Sequence, residues 1–177
     1  MNQIPVKVIP ANDVVAALLA LTEALEGKCA VFISPREING EKVKVEGIPE
    51  FVDSKTAVIV ESSGSTGTPK RISISAKALI ASAKATEEYF GTKGQWLLTL
   101  PINYIAGIQV LVRSILADVP PIQMNTAVPF TPEAFALSST LLTADAKFTS
   151  VVPTQLVRLQ QLASQDPFLV KLLQRFK

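Results

Sequence analysis

The sequence has 177 residues, of which 48% are hydrophobic and 18% are charged, and its net charge is +2. This composition excludes a disordered chain and supplies enough apolar side chains for a substantial core. The small net charge, without clustered Lys or Arg, excludes the basic surface expected of a nucleic-acid-binding protein. The single cysteine, Cys29, cannot form an internal disulfide. No secretory-signal pattern is present, so we expect a cytoplasmic protein.

Apolar periodicity and cap signals predict alternating helices and strands along the chain. The first half predicts a helix capped by Asn12 and Asp13 that runs to about Glu26, a strand over 29–34 that includes a buried Cys29, a short exposed strand over 42–46, two strands within 57–74 and a helix from Ser75 to about Phe90. The second half predicts a strand over 96–100, a buried helix over 104–117, a strand over 121–124, a helix from Thr131, a strand over 147–152 and helices from Pro153 and Asp166.

This alternation predicts an α/β fold, a layered sandwich with a mostly parallel sheet flanked by helices. The apolar helix over 104–117 is too short to cross a bilayer, so no membrane insertion is expected. The chain stops soon after its last helix begins, which suggests a part of a longer domain. A sheet cut in this way would expose an edge strand, and pairing of two copies into a homodimer is therefore a further expectation.

Residues 62–70 read Ser-Ser-Gly-Ser-Thr-Gly-Thr-Pro-Lys and follow an apolar run. Small residues and two glycines allow backbone N–H groups to surround an anion, while hydroxyl groups and Lys70 add donors and a positive charge. A strand follows, so no helix dipole assists, and the spacing is not that of a Walker loop. A plain surface turn is the alternative. The predicted phosphate-binding residues are Ser63, Gly64, Ser65, Thr66, Gly67, Thr68 and Lys70.

This loop resembles the phosphate-binding signature of the acyl-adenylate-forming (AMP-binding) enzymes, a Ser/Thr/Gly loop closed by Pro-Lys. Arg71 departs from the family, which usually has Gly there. A second motif, Leu-Pro-Ile-Asn-Tyr-Ile-Ala-Gly over 100–107, and a third, Thr-Ser-Val-Val-Pro-Thr-Gln-Leu over 149–156, occur in the family's order. Within the family the chain is most similar to the o-succinylbenzoate-CoA ligases of menaquinone biosynthesis, over roughly residues 57–165.

The resemblance implies that residues 1–177 are part of the large N-terminal domain, without the C-terminal lid domain. It implies an ATP-dependent acid-CoA ligase with ATP, Mg²⁺ and CoA as cofactors, and o-succinylbenzoate or a similar small acid as substrate. Lys70 and Thr66 would be catalytic, and no metal ligands are assigned. The implied acyl-substrate residues are Asn103, Tyr104, Gly107 and Arg113.

One departure concerns histidine, which the sequence lacks altogether. The o-succinylbenzoate-CoA ligases usually have His at the position of Tyr104, and often at that of Asn103. Adenylation tolerates this loss, because a carboxylate is already ionised at neutral pH and needs no general base to attack ATP. The reaction needs charge neutralisation instead, which Mg²⁺, hydroxyl groups and Lys70 can supply.

Other interpretations remain open at this stage. Tyr104 could be an ordinary core aromatic, and Arg113 could be a surface residue or a member of a structural ion pair. The whole chain could also be a non-catalytic α/β module that retains the phosphate loop for anion or nucleotide binding, or an unrelated nucleotide-binding domain. On the sequence alone, the chain by itself is expected to be inactive.

Overall fold

Two β-sheets with helices packed against them form the part of the chain that the computed structural model describes, residues 2–35, 47–62, 70–126 and 128–177. The strands are β1 (Gln3–Pro10), β2 (Ala30–Ser34), β3 (Phe51–Asp53), β4 (Val58–Ser62), β5 (Lys70–Ile74), β6 (Gln95–Leu98), β7 (Ile122–Gln123) and β8 (Lys147–Thr149). The helices are α1 (Val14–Leu25), α2 (Ala76–Phe90), α3 (Ile105–Ala117), α4 (Pro132–Ser139), α5 (Pro153–Ala163) and α6 (Pro167–Leu173).

The five-stranded sheet has the order β3-β1-β2-β4-β5, and the three-stranded sheet has the order β7-β6-β8. All pairs in the smaller sheet are parallel, as are β1–β2 and β2–β4. The pairs β1–β3 and β4–β5 are antiparallel. The predicted α/β class is confirmed, but the larger sheet is mixed. The connection between β4 and β5 explains one reversal, because a few residues suffice for a hairpin while a parallel crossover needs a dozen or more.

Two of these strands, β1 and β3, were not predicted from the sequence. Strand β1 contains Pro5 and ends at Pro10, and Ile4 is its one buried position, so neither composition nor alternation indicates a strand. Strand β3 has three residues and pairs with β1 at the sheet edge, where the sequence predicts no strand. Both strands depend on a partner that is distant in sequence. The predicted exposed strand over 42–46 lies outside the described residues.

The predicted helix boundaries follow local capping chemistry. The carboxylate of Asp13 accepts a hydrogen bond from the backbone N–H of Ala16 at 2.9 Å, and the hydroxyls of Ser75 and Thr131 make the equivalent bonds at 3.2 Å. Gly91 ends α2 with a φ of 69°, a left-handed conformation that favours glycine. These caps agree with the predicted starts of α1, α2 and α4.

Helix α3 lies in the larger of two hydrophobic cores, as its apolar composition predicts. Ile108, Val110, Leu111 and Val112 of this helix are fully buried and belong to the same cluster as residues of α1, β2 and β4. Cys29 is also buried there, immediately before β2. Among the described residues, no helix is long and apolar enough to span a membrane.

Candidate functional site

Strands β4 and β5 form an antiparallel pair, a hairpin whose two strands flank the predicted phosphate loop in the sequence. Ser62 pairs with Lys70 in the antiparallel register, and the Ser62 hydroxyl donates a hydrogen bond to the Lys70 carbonyl at 3.3 Å. Lys70 is exposed, at the first position of β5. The two flanking strands are thus placed as predicted. The predicted loop residues lie outside the described part of the chain: Ser63, Gly64, Ser65, Thr66, Gly67 and Thr68.

A cavity of about 210 Å³ borders the base of this hairpin. It lies where the parallel strands β2 and β4 end, and the carboxyl ends of parallel strands are the usual place for ligands in α/β sheets. The segment that leads into α3 forms the opposite wall. The residues that line the cavity are Phe32, Ile33, Pro35, Glu61, Ser62, Asn103 and Tyr104. The structure therefore brings two predicted acyl-substrate residues next to the start of the predicted phosphate loop.

Tyr104 is the N-cap residue of α3, and its side chain does not cap the helix. Its carbonyl accepts the first helical hydrogen bond, from the N–H of Ile108 at 3.1 Å, while 56% of the residue's surface remains exposed. An aromatic core residue would be buried. The ring is therefore available at the cavity wall, and its hydroxyl can donate or accept a hydrogen bond.

Gly107 is buried in the first turn of α3 and packs against the bend that precedes this helix. A Cβ atom placed there would lie 2.3 Å from the Pro101 carbonyl oxygen and 2.9 Å from the Cα of Ile102. No side chain fits, so glycine allows the helix to pack directly on the bend that follows β6. Gly107 contacts the backbone of the bend and is not among the cavity-lining residues.

Arg113 lies outside the cavity that Asn103 and Tyr104 line. Its guanidinium carbon is 4.8 Å from the centre of the Trp96 ring, and it borders a separate cavity of about 20 Å³ with Phe90, Lys93 and Phe148. Nine residues of helix separate it from Tyr104, about 13 Å at 1.5 Å per residue. Burial lowers the pKa of Arg113, and its buried Nε has no hydrogen-bond partner. The structure does not bring Arg113 into the cavity with Asn103 and Tyr104.

The sequence motifs did not identify one feature of the candidate site, a pair of residues that face each other across β4 and β5. Glu61 lines the cavity, and its Oε1 accepts a hydrogen bond from the Nε of Arg71 at 3.0 Å. The Arg71 NH1 group donates to the carbonyl oxygen of Gly47. The signal for this pair was present in the sequence, because the two residues flank the loop motif on either side. Only the antiparallel register shows that they face each other.

The third motif has a structural role among the described residues. The Gln155 side chain accepts from the N–H of Val152 at 3.0 Å and donates to the carbonyl of Thr99 at 3.5 Å. The Thr99 hydroxyl donates to the carbonyl of Ser150. These bonds tie the end of β6 to the start of α5 and satisfy polar groups near the carboxyl edge of the smaller sheet.

No group of three or more His, Cys, Asp or Glu side chains could hold a metal ion within the described ranges. Glu61 is the one carboxylate among the residues that line the cavity. Those residues offer apolar walls, the Ser62 hydroxyl, the Asn103 amide and the Tyr104 hydroxyl, and Lys70 lies across the hairpin from Ser62. This lining therefore combines apolar surface with neutral hydrogen-bonding groups and one carboxylate.

The fold and these motifs define a class of protein. The family model described as "AMP-binding enzyme" matches residues 7–175 of the chain, which therefore belongs to the AMP-binding enzyme family. The predicted family is confirmed.

Two relatives from Mycobacterium tuberculosis, strains CDC 1551 / Oshkosh and ATCC 25618 / H37Rv, carry the name "Probable 2-succinylbenzoate--CoA ligase". Each is 33% identical over 151 residues, which make up 85% of this chain and 39% of the relative. The chain thus spans well under half the length of these relatives.

Solved structures share the fold. A malonyl-CoA ligase with methylmalonyl-CoA and AMP bound matches 96% of this chain and 44% of its own, with a TM-score of 0.70 at 17% identity. An E. coli MenE variant with bound OSB-AMS matches 91% and 42%, with a TM-score of 0.62 at 21% identity. The Bacillus subtilis o-succinylbenzoate coenzyme A synthetase in complex with ATP and magnesium ion matches 84% and 34%, with a TM-score of 0.52 at 17% identity. At these identities the agreement establishes the fold alone.

Proposed function

We propose that the chain is part of an ATP-dependent acid-CoA ligase that acts on o-succinylbenzoate, as in menaquinone biosynthesis. The observation that carries the proposal is the cavity shared by the hairpin base and the second motif, which puts Ser62 beside Asn103 and Tyr104. The 33% identity to relatives named as 2-succinylbenzoate ligases supports the choice of acid. In this proposal residues 1–177 form part of the N-terminal AMP-binding domain, and a lid domain completes the enzyme.

The phosphate groups of ATP are proposed to bind at the turn between β4 and β5. Backbone N–H groups and hydroxyls of residues 63–68 would surround them, with Thr66 and Lys70 stabilising the charge that moves onto pyrophosphate. Lys70 is suited to this role, since it is exposed at the first position after the turn. A lysine side chain carries a mobile point charge, which can follow phosphate oxygens as the leaving group departs.

The acid is proposed to lie in the cavity, with its ring against the apolar wall and its carboxylate toward the turn. The Asn103 amide and the Tyr104 hydroxyl are neutral donors that can orient a carboxylate without removing its charge. Gly107 acts indirectly in this proposal, by letting α3 approach the bend that holds both residues. Arg113 is assigned a structural role beside Trp96.

The proposed chemistry has two steps. An oxygen of the substrate carboxylate attacks the α-phosphorus of ATP, the bond to the β-phosphate oxygen breaks, and pyrophosphate leaves. The thiol of CoA then loses its proton and attacks the acyl carbon, and AMP leaves with the electrons of the broken acyl–oxygen bond. Mg²⁺ would enter bound to ATP, and the described residues provide no cluster to hold it. Their part is to bind, orient and neutralise the two anions.

ATP–pyrophosphate exchange with o-succinylbenzoate tests the proposal. It compares the 177-residue chain with the same chain extended by its own downstream sequence. We expect exchange from the extended protein and little from the chain alone, because each missing charge-stabilising or orienting group costs roughly 10²- to 10³-fold in rate. If neither protein catalyses exchange but pyrophosphate binding is retained, the result would support the non-catalytic binding module instead. Equal exchange by both would overturn the proposed need for a further domain.

Three further expectations belong to this proposal. We place the protein in the cytoplasm, we expect no nucleic-acid partner, and we expect two copies to pair through an exposed sheet edge. Strand β5 is an edge strand whose residues 70–73 are exposed, which is the geometry that such pairing requires. Sedimentation velocity over a range of concentrations would detect a dimer, and a monomer at every concentration would contradict this last expectation.

A further inference from the structure

The base of the β4–β5 hairpin carries a charge arrangement that depends on one residue. Glu61 pairs with Arg71 across the two strands, next to the pair formed by Ser62 and Lys70. Because Glu61 lines the cavity, this residue borders the space proposed for the substrate. An unpaired carboxylate at this point would repel a phosphate or a carboxylic acid.

Arg71 is held over this carboxylate by several contacts. Its Nε donates to Glu61 at 3.0 Å, its NH1 group donates to the Gly47 carbonyl, and its guanidinium carbon lies 5.9 Å from the centre of the Phe32 ring. The side chains of Arg71 and Glu61 are only 31% and 25% exposed, so water screens the pair less than at an open surface. Gly47 has a φ of 71°, and a Cβ atom there would come within 3.3 Å of the guanidinium.

We propose that Arg71 is a positioning residue that neutralises and orients Glu61, and so allows an anionic ligand to bind at the edge of the cavity beside Ser62 and Lys70. This inference rests on the proposed function. With Arg71 present, the charged side chains of these two residue pairs (Glu61, Lys70 and Arg71) have a net charge of one positive unit, which attracts an anion. Without Arg71, the net charge of these side chains falls to zero, and the attraction is weaker.

The test measures pyrophosphate binding to the 177-residue chain by isothermal titration calorimetry at low ionic strength. Arg71→Gln should weaken binding about tenfold, since it leaves Glu61 unpaired near the anion. Glu61→Gln should tighten binding, and the double variant Glu61→Gln with Arg71→Gln should return to within about threefold of the unmodified chain. If the double variant binds as weakly as Arg71→Gln alone, Arg71 acts by direct contact or by holding the fold, and the inference is overturned.

Two controls separate charge from structure. Arg158→Gln removes the same charge from α5, where the Arg158 NH1 group donates to the Phe130 carbonyl at 2.9 Å, and it should leave pyrophosphate affinity unchanged. Arg71→Lys keeps the charge and should retain most of the affinity even if Arg71→Gln folds poorly. A loss of tenfold or more in Arg71→Lys would contradict the inference. The difference between the unmodified chain and Arg71→Gln should also shrink as salt is raised to about 0.5 M.

The outcomes distinguish this inference from the proposed function. An unmodified chain that does not bind pyrophosphate overturns phosphate binding at the hairpin, and the inference with it. An unmodified chain that binds pyrophosphate, together with an Arg71→Gln variant that binds equally well, overturns the inference alone.

Discussion

Gly107 lies so close to Pro101 that a Cβ atom on the glycine would be 2.3 Å from the proline carbonyl oxygen. The first turn of α3 therefore rests on the backbone of the bend that precedes it. Because Asn103 and Tyr104 belong to this bend, the contact sets where both side chains enter the cavity. Gly107, which was predicted as an acyl-substrate residue, thus affects the site by its contact with the backbone of the bend.

Gly107→Ala should destabilise the protein by about 1–3 kcal/mol, because the added methyl group forces the helix and the bend apart. It should also weaken binding of the acid, since Tyr104 moves with the bend. Urea unfolding measures the first effect and the KM for the acid in the extended protein measures the second. Gly94→Ala is a matched control, because a Cβ atom there would meet the Ala146 carbonyl at the same 2.3 Å. It should cost similar stability without a specific rise in KM, and equal KM effects would contradict this account.

Lys70→Ala should weaken binding of ATP or pyrophosphate by about 1.5–3 kcal/mol, the usual size of a hydrogen bond to a charged group. The change removes the positive charge at the first position after the turn. Equilibrium titration with pyrophosphate measures the effect. Lys77→Ala, at an exposed position of α2, removes the same charge outside the hairpin and should bind as the unmodified chain does. Unchanged affinity in Lys70→Ala would remove Lys70 from the site.

Tyr104→Ala should raise the KM for the acid in the extended protein by about tenfold, because both the ring wall and the hydroxyl are lost. Tyr104→Phe separates the two contributions, since it keeps the ring. Neither change should lower stability much, as Tyr104 is 56% exposed. Tyr89→Ala is the control, because Tyr89 is 84% exposed on α2. A KM for the acid that is unaffected by Tyr104→Ala would exclude Tyr104 from the acyl site.

Arg113→Met should leave the KM for the acid unchanged, because Arg113 borders the small cavity beside Trp96. Its effect on the free energy of unfolding should be about 1 kcal/mol or less. The variant loses the contact of a cation with the Trp96 ring, worth about 0.5–2 kcal/mol, but it also removes a partly buried charge whose pKa burial has lowered. Unfolding and steady-state kinetics check both expectations. A selective rise in KM would return Arg113 to the acyl site.

Cys29 should make stability fall at alkaline pH. Burial raises the pKa of its thiol; the positive charge of Lys7 opposes the rise, and the Glu23 carboxylate adds to it. The folded state then holds the thiol proton at pH values where the unfolded state has released it. The stabilisation is therefore complete below the ordinary thiol pKa and is lost as pH rises through the raised value. Cys29→Ala should remove this pH dependence from unfolding curves measured between about pH 7.5 and 10, and an identical dependence in both proteins would contradict the assignment.

Local chemistry along the chain determined much of this structure. The starts of α1, α2 and α4 follow from capping side chains, and strands β4 and β5 follow from the apolar run over 57–60 and the alternation over 72–74. Helix α3 is buried because apolar residues occupy most of its faces. The motifs at 62–70 and 100–107 also indicated the family, since their residue order is specific.

Tertiary structure decided what depends on partners that are distant in sequence. Strand β1 forms because it pairs with β2 and β3, strand β3 forms because it pairs with β1, and no local pattern indicates either of them. The antiparallel register brings Arg71 over Glu61, a contact that depends on both strands at once. The position of Arg113 also depends on a second element, because the ring that it contacts belongs to Trp96 on β6.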